Sequence, residues 1–235
     1  MSMIATQGDG GDGGDGGDGT GIDLVPSLRS RFTSQWRRAL ISGARSDPDA
    51  VFDIVYRYYA EPHRSYHNER HLAHCLQHLD AATGQIARPD RVEMALWFHD
   101  IINEPGRLDN EARSAELFRD LAADVMPEEF VAAVTDLILV TIHRDPPEDP
   151  DQRFICDIDL VSFGCPWERY LHDSANLKAE FPGPEDEYRW KKRAFLETVL
   201  NRPRIFLTDF FHERYEGRAR ENIPRLIDLI NRRQD

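Results

Sequence analysis

The chain has 235 residues, 40% of them hydrophobic and 30% charged, a length that suits one domain or two small ones. Its formal charge of −13 argues against non-specific nucleic-acid binding, which depends on clustered Lys and Arg releasing counterions. No apolar run reaches about 18 residues and the N-terminus lacks a basic, then apolar, leader, so neither a membrane span nor a signal peptide is expected and the cytoplasm is the expected location.

Residues 8–19 read GDGGDGGDGGDG and offer nothing apolar to bury, which predicts a flexible, solvated leader over residues 1–25 ahead of a single domain over 26–235. Asp9, Asp12, Asp15 and Asp18 carry four of the negative charges, and without them the rest still stands at −9. Their spacing resembles a calcium loop, but the glutamate that an EF-hand needs at its twelfth position is missing. From Leu28 onward apolar residues recur at three and four, the period of a helix, and no alternating segment bounded by hairpin turns occurs. The pattern predicts an all-α protein, a compact helical bundle, with helices over 28–42, 49–60, 67–83, 90–103, 110–124, 128–143, 152–163, 166–180, 185–201 and 209–232. Pro89, Pro127 and Pro166 suit first turns, Gly43, Gly84 and Gly164 suit helix ends, and Pro224 is expected to kink the last helix. Cys75, Cys156 and Cys165 are odd in number and form no CxxC pair, as expected of buried or free thiols in a reducing compartment.

Chemistry enters with MALWFHDII, residues 94–102, an apolar segment interrupted only by His99 and Asp100. A carboxylate in such surroundings costs several kcal/mol unless it is paired or bound to a metal. A satisfied core histidine beside a salt-bridged Asp is the other reading of this pair. Upstream, His67, His71, His74 and His78 share one helical face, a stripe of about 16 Å at 1.5 Å per residue, too long for all four to reach one ion. One or two are expected as ligands and the others, His74 and His78 in particular, as outer partners or surface residues. FICDIDLVSFG, residues 154–164, carries Asp157 and Asp159 about 200° apart on a helix, so that only one faces a shared centre. His143 closes an apolar helix and is either its C-terminal cap or an extra ligand.

The order His, then His-Asp, then Asp resembles the HD-domain superfamily of metal-dependent phosphohydrolases, and YHNERH, residues 66–71, is similar to the YHNxxH signature of cyclic-nucleotide phosphodiesterases. FHDIINEPGRLDNEARSAE, DIDLVSFG, DEYRWKKR and EGRARENI further resemble a group of predicted bacterial HD phosphohydrolases, a likeness that covers roughly residues 28–230. The resemblance implies a bundle of the HD type in which His71, His99, Asp100 and, by its D-x-L stretch, Asp159 hold a divalent metal. It implies His67 as general acid, and Asp100 as holder of both metal and hydroxide. Two imidazoles and two carboxylates suit Mn, Fe, Co, Ni or Zn. The implied reaction is hydrolysis of a phosphomonoester or phosphodiester, in which a small phosphate ester or nucleotide is attacked by metal-bound hydroxide.

Candidates for holding the phosphate are Arg70, Arg107, Arg113, Lys192 and Arg193, each of which reads equally as a solvated surface charge. LDNEARSAE also reads as a helix start capped by Asp109 or Asn110. Glu187, Tyr188, Glu216, Arg220 and Asn222 fall in the resembling segments and are expected to pack helix on helix. Two other functions remain open: a di-iron oxygenase of the same fold, drawing on His143, His74 or Asp157 for a second metal, and a non-catalytic metal- or nucleotide-binding module.

Overall fold

The computed structural model describes residues 24–232, so the Gly/Asp leader lies outside the described residues. Among the described residues the protein is all-helical, with no strand. The helices are α1 (Leu24–Ala39), α2 (Pro48–Tyr59), α3 (Glu69–Ala82), α4 (Pro89–Phe98), α5 (Asn110–Ala122), α6 (Glu128–Val140), α7 (Pro150–Asp159), α8 (Trp167–Ala179), α9 (Glu185–Leu200) and α10 (Asp209–Arg232). No described helix is long and apolar enough to cross a membrane.

Local chemistry sets several boundaries. Asp47 and Asp149 each accept two backbone N–H bonds from the helix turn just after them, with Pro48 and Pro150 at the first helical position. Asn68 caps α3 by accepting from the Arg70 amide at 3.0 Å, so this helix starts two residues after His67 instead of including it. Pro89 opens α4, whereas Pro127 and Pro166 stand one residue ahead of α6 and α8. α6 stops at Val140 and not at His143, whose φ of 57° lies in the left-handed region. α10 runs on through Pro224. The expected side-chain cap of α5 does not form: the Asp109 carboxylate is held by Arg107 at 2.6 Å, and Asn110 bonds the Glu104 backbone instead.

α4 is the central helix. Val92, Met94, Ala95, Leu96, Trp97 and Phe98 are all buried, and α1, α3, α5, α6 and α7 pack around it. The buried apolar residues form one cluster, with Phe32, Trp36, Trp97, Phe98 and Phe118 in mutual ring contact. Packing on every side explains why α4 reads as almost continuously apolar, and it keeps the chain in the interior as it leaves Phe98. The next two residues are His99 and Asp100.

The last helix closes the bundle over the 3-10 turn Leu160–Gly164. The residues expected only to pack there clamp loops. Glu216 accepts from the Ile205 and Phe206 amides and from Arg220, while Arg220 donates to the carbonyls of Leu200, Arg202 and Pro203. Asn222 donates to the Phe163 and Cys165 carbonyls. Tyr188 reaches the Ser174 carbonyl, and Glu187 pairs with Lys191 on its own helix.

Candidate metal centre

Four side chains, from α3, α7 and the turn after α4, meet at the end of α4. His71 comes from the first turn of α3, His99 and Asp100 from the turn just past α4, and Asp159 from the last residue of α7. Each offers one ligand atom, and these atoms all lie within 4.8 Å of one another. The His71 Nε2 is 3.3 Å from Asp100 Oδ2 and 3.7 Å from Asp159 Oδ1, and the His99 Nε2 is 3.0 and 3.6 Å from the same oxygens. Both rings are buried, whereas the Asp100 and Asp159 side chains keep about a fifth of their surface open. The adjacent His99 and Asp100 both reach the centre from the end of α4, where His99 keeps a helical backbone and donates its N–H to the Ala95 carbonyl.

The electrostatics favour a positive charge at the centre. His99 Nδ1 lies 2.9 Å from the Leu96 carbonyl, an acceptor only, so Nδ1 carries the hydrogen and in the neutral ring Nε2 holds a lone pair. In that neutral form the lone pair faces Asp100 Oδ2 at 3.0 Å, two buried acceptors set against each other. Burial alone would lower the His99 pKa, yet Asp100 and Asp159 raise it well above the ordinary value. Burial alone would raise the pKa values of Asp100 and Asp159, yet surrounding histidines, His99 and His67 about the first and His143 and His99 about the second, hold both well below the carboxylate range. The cluster thus favours a positive charge, which a proton on an imidazole meets, and its two nitrogens and two oxygens could equally hold a divalent ion. Cys75 Sγ, 3.6 Å from His71 Nε2, is a further buried donor. Burial and the carboxylates of Asp159 and Asp100 push its thiol pKa well up, and a protonated thiol is a poor ligand beside two carboxylates.

Around the four lie their supports. His143, turned inward by its left-handed backbone, places Nε2 2.7 Å from Asp159 Oδ2, leaving Oδ1 for the cluster. His67 stands beside His71, ring centroids 5.7 Å apart, and its Nδ1 meets Glu180 Oε2 at 2.5 Å. Glu180 Oε1 also accepts from the Tyr66 and His67 amides, and Asn103 donates to Oε2 at 3.2 Å. Burial works against a charged His67, but Asp100 and Glu180 outweigh it and the ring's pKa is raised; that of Glu180 is lowered to about 2, against its own burial.

The remaining candidates fall elsewhere. Asp157, two residues from Asp159, faces the opposite way and accepts from the Leu207 and Thr208 amides and the Thr208 hydroxyl, each at 2.7 Å. It meets neither solvent nor a base, and burial raises its pKa to about 6 despite those bonds. His74 lies 3.1 Å from His78, Nε2 to Nε2, and lines a groove of about 610 Å³ that also takes in Arg70, Arg169 and His172. Of the four clustered residues, His71 alone borders this groove. Arg107 is engaged by Asp109, Arg113 by Glu104 and Arg193 by Glu197, so carboxylates already meet their charges. Lys192 is half-buried on α9, and burial lowers its amine to about 8. All three cysteines are buried, and none forms a disulfide among the described residues.

Sequence patterns miss three residues here. Glu180 comes just after α8 in a Pro- and Gly-bearing stretch and looks like an ordinary helix-end charge, Asn103 looks like part of a loop, and Arg64 stands three residues before His67, where only its nearness to YHNERH could have drawn notice. No protein-family model, curated protein or solved structure matches this chain. Its chemistry is read from the site itself.

Proposed function

We propose that this chain is a metal-dependent phosphohydrolase of the HD-domain type that cleaves a small phosphomonoester or phosphodiester, including nucleotides, in the cytoplasm. One observation carries the proposal: His71, His99, Asp100 and Asp159 present ligand atoms within 4.8 Å of one another in a mostly buried place, with His99 Nε2 and Asp100 Oδ2 buried and lacking a well-placed hydrogen-bond partner. A divalent transition metal bound there supplies Lewis acidity, towards water and towards a phosphoryl oxygen.

The chain's own groups do the rest. His99 is fixed in one tautomer by the Leu96 carbonyl, and Asp159 is held by His143, so both present a set atom to the centre. With Nδ1 engaged by Glu180, His67 offers its other nitrogen, Nε2, as the proton donor to the departing oxygen, the expensive leaving group of a phosphate ester. Asp100 and Glu180 raise the His67 pKa, which favours the protonated ring.

The test is a panel of phosphate esters and nucleotides in added manganese. Hydrolysis that disappears in folded His99→Ala and Asp100→Ala proteins supports the proposal, and hydrolysis that survives both ends it. Two irons per chain with oxygen uptake point instead to an oxygenase, and tight binding without turnover to a binding module.

A further inference from the structure

Two pieces of chain from different helices flank the cluster: the segment with His67 before α3, and the turn with His99 and Asp100 after α4. Asn103 links them at the His67 ring, 3.2 Å from Nδ1, and Arg64 links them through the main chain. The Arg64 side chain is withdrawn from solvent, 0% exposed, and its two terminal nitrogens donate to main-chain carbonyls. Nη1 donates to the carbonyls of His67 at 2.8 Å and Asp100 at 2.7 Å, and Nη2 donates to that of Ile101 at 2.7 Å. Nε is taken by Glu61 at 3.0 Å, and the Tyr59 ring lies under the guanidinium, 5.4 Å from its centroid. The carbonyls of Asp100 and Ile101 lie past the end of α4 and that of His67 lies ahead of α3, so without Arg64 they would need other partners in the interior. A planar fork with five donors reaches all three at once, which an ammonium on a single stem does not.

We propose that Arg64 is a positioning residue that couples the proton donor His67 to the metal-binding pair His99–Asp100, fixing the two segments as one unit. The catalytic part of this inference rests on the function proposed above. The coupling itself does not.

The test uses full-length Arg64→Ala and Arg64→Lys proteins. In the metal-free state, amide hydrogen exchange in residues 65–69 and 99–103 is expected to quicken together, by about tenfold or more, while α6 and α10 keep their wild-type rates. Quickening in one segment alone, or in neither, overturns the coupling whatever the protein catalyses, and so does failure of both variants to fold, which would make Arg64 a general scaffold residue. With manganese bound and p-nitrophenyl phosphate or its bis-ester as probe, kcat is expected to fall about tenfold or more at unchanged metal content and KM, and added guanidinium is expected to restore part of it in Arg64→Ala. Full activity in Arg64→Lys, or loss of metal along with turnover, overturns the positioning role. If the wild-type protein hydrolyses neither probe nor any other ester, the proposed function fails and the exchange result still judges Arg64.

Discussion

Glu180 meets His67 at both ring and backbone: Oε2 lies 2.5 Å from the ring Nδ1, and Oε1 accepts the His67 amide at 2.9 Å. A residue 113 positions away thus sets the orientation of the ring and favours its charged form.

Glu180→Gln removes a negative charge that favours the imidazolium, so the His67 pKa should fall. A general acid is lost as pH rises through its pKa, and the alkaline limb of the kcat profile should therefore move to lower pH. A profile that keeps its alkaline limb would show that His67 is not the proton donor.

The same contact makes stability depend on acid. The Glu180 pKa is lowered in the folded protein, from an ordinary 4.5 to about 2, so its stabilisation is fully present above about pH 4.5 and fades as pH falls towards 2. Since one pKa unit is about 1.4 kcal/mol, it amounts to at most about 3–4 kcal/mol. Urea unfolding of the wild type and Glu180→Gln at pH 6 and pH 3 should show the difference between them shrinking at the lower pH.

Asp157 and Asp159 should behave oppositely on substitution. Asp157→Ala leaves two backbone amides and a hydroxyl without their acceptor and should cost about 2–4 kcal/mol of stability with metal content unchanged. Asp159→Ala should lose the metal while remaining folded. Melting curves beside elemental analysis separate the two, and equal metal loss in both would contradict the assignment.

Gly164 is held against α10, where an added Cβ would lie 2.5 Å from the Tyr215 Cβ and 2.9 Å from its backbone Cα and O. Gly164→Ala should therefore destabilise by about 2–3 kcal/mol, read from denaturant midpoints, because backbone has to move. A midpoint at the wild-type value would mean that α10 gives way freely.

The helices were legible because apolar residues at three and four mark them without knowledge of their partners. The features that escaped the sequence lie where a backbone leaves the helix. His143 looked like the end of a helix, but its left-handed φ turns the ring back to Asp159. His99 and Asp100 read as helical neighbours about 100° apart, and both nonetheless reach one centre, which only the placement of α3 and α7 around the end of α4 reveals. Asp157 and Asp159 could be told apart as facing two ways, but not which way, because the acceptor need of residues 207–208 leaves no trace in a short motif. Glu180 and Arg64 act through contacts between chain segments that no local pattern carries.

The central claim is that His71, His99, Asp100 and Asp159 hold one transition-metal ion, and elemental analysis of purified protein reloaded with manganese tests it most directly. Wild-type protein should retain about one ion per chain through dialysis, and folded His71→Ala, His99→Ala and Asp159→Ala proteins should retain little. Wild-type protein that comes through free of metal, or variants that keep as much as the wild type, would contradict it.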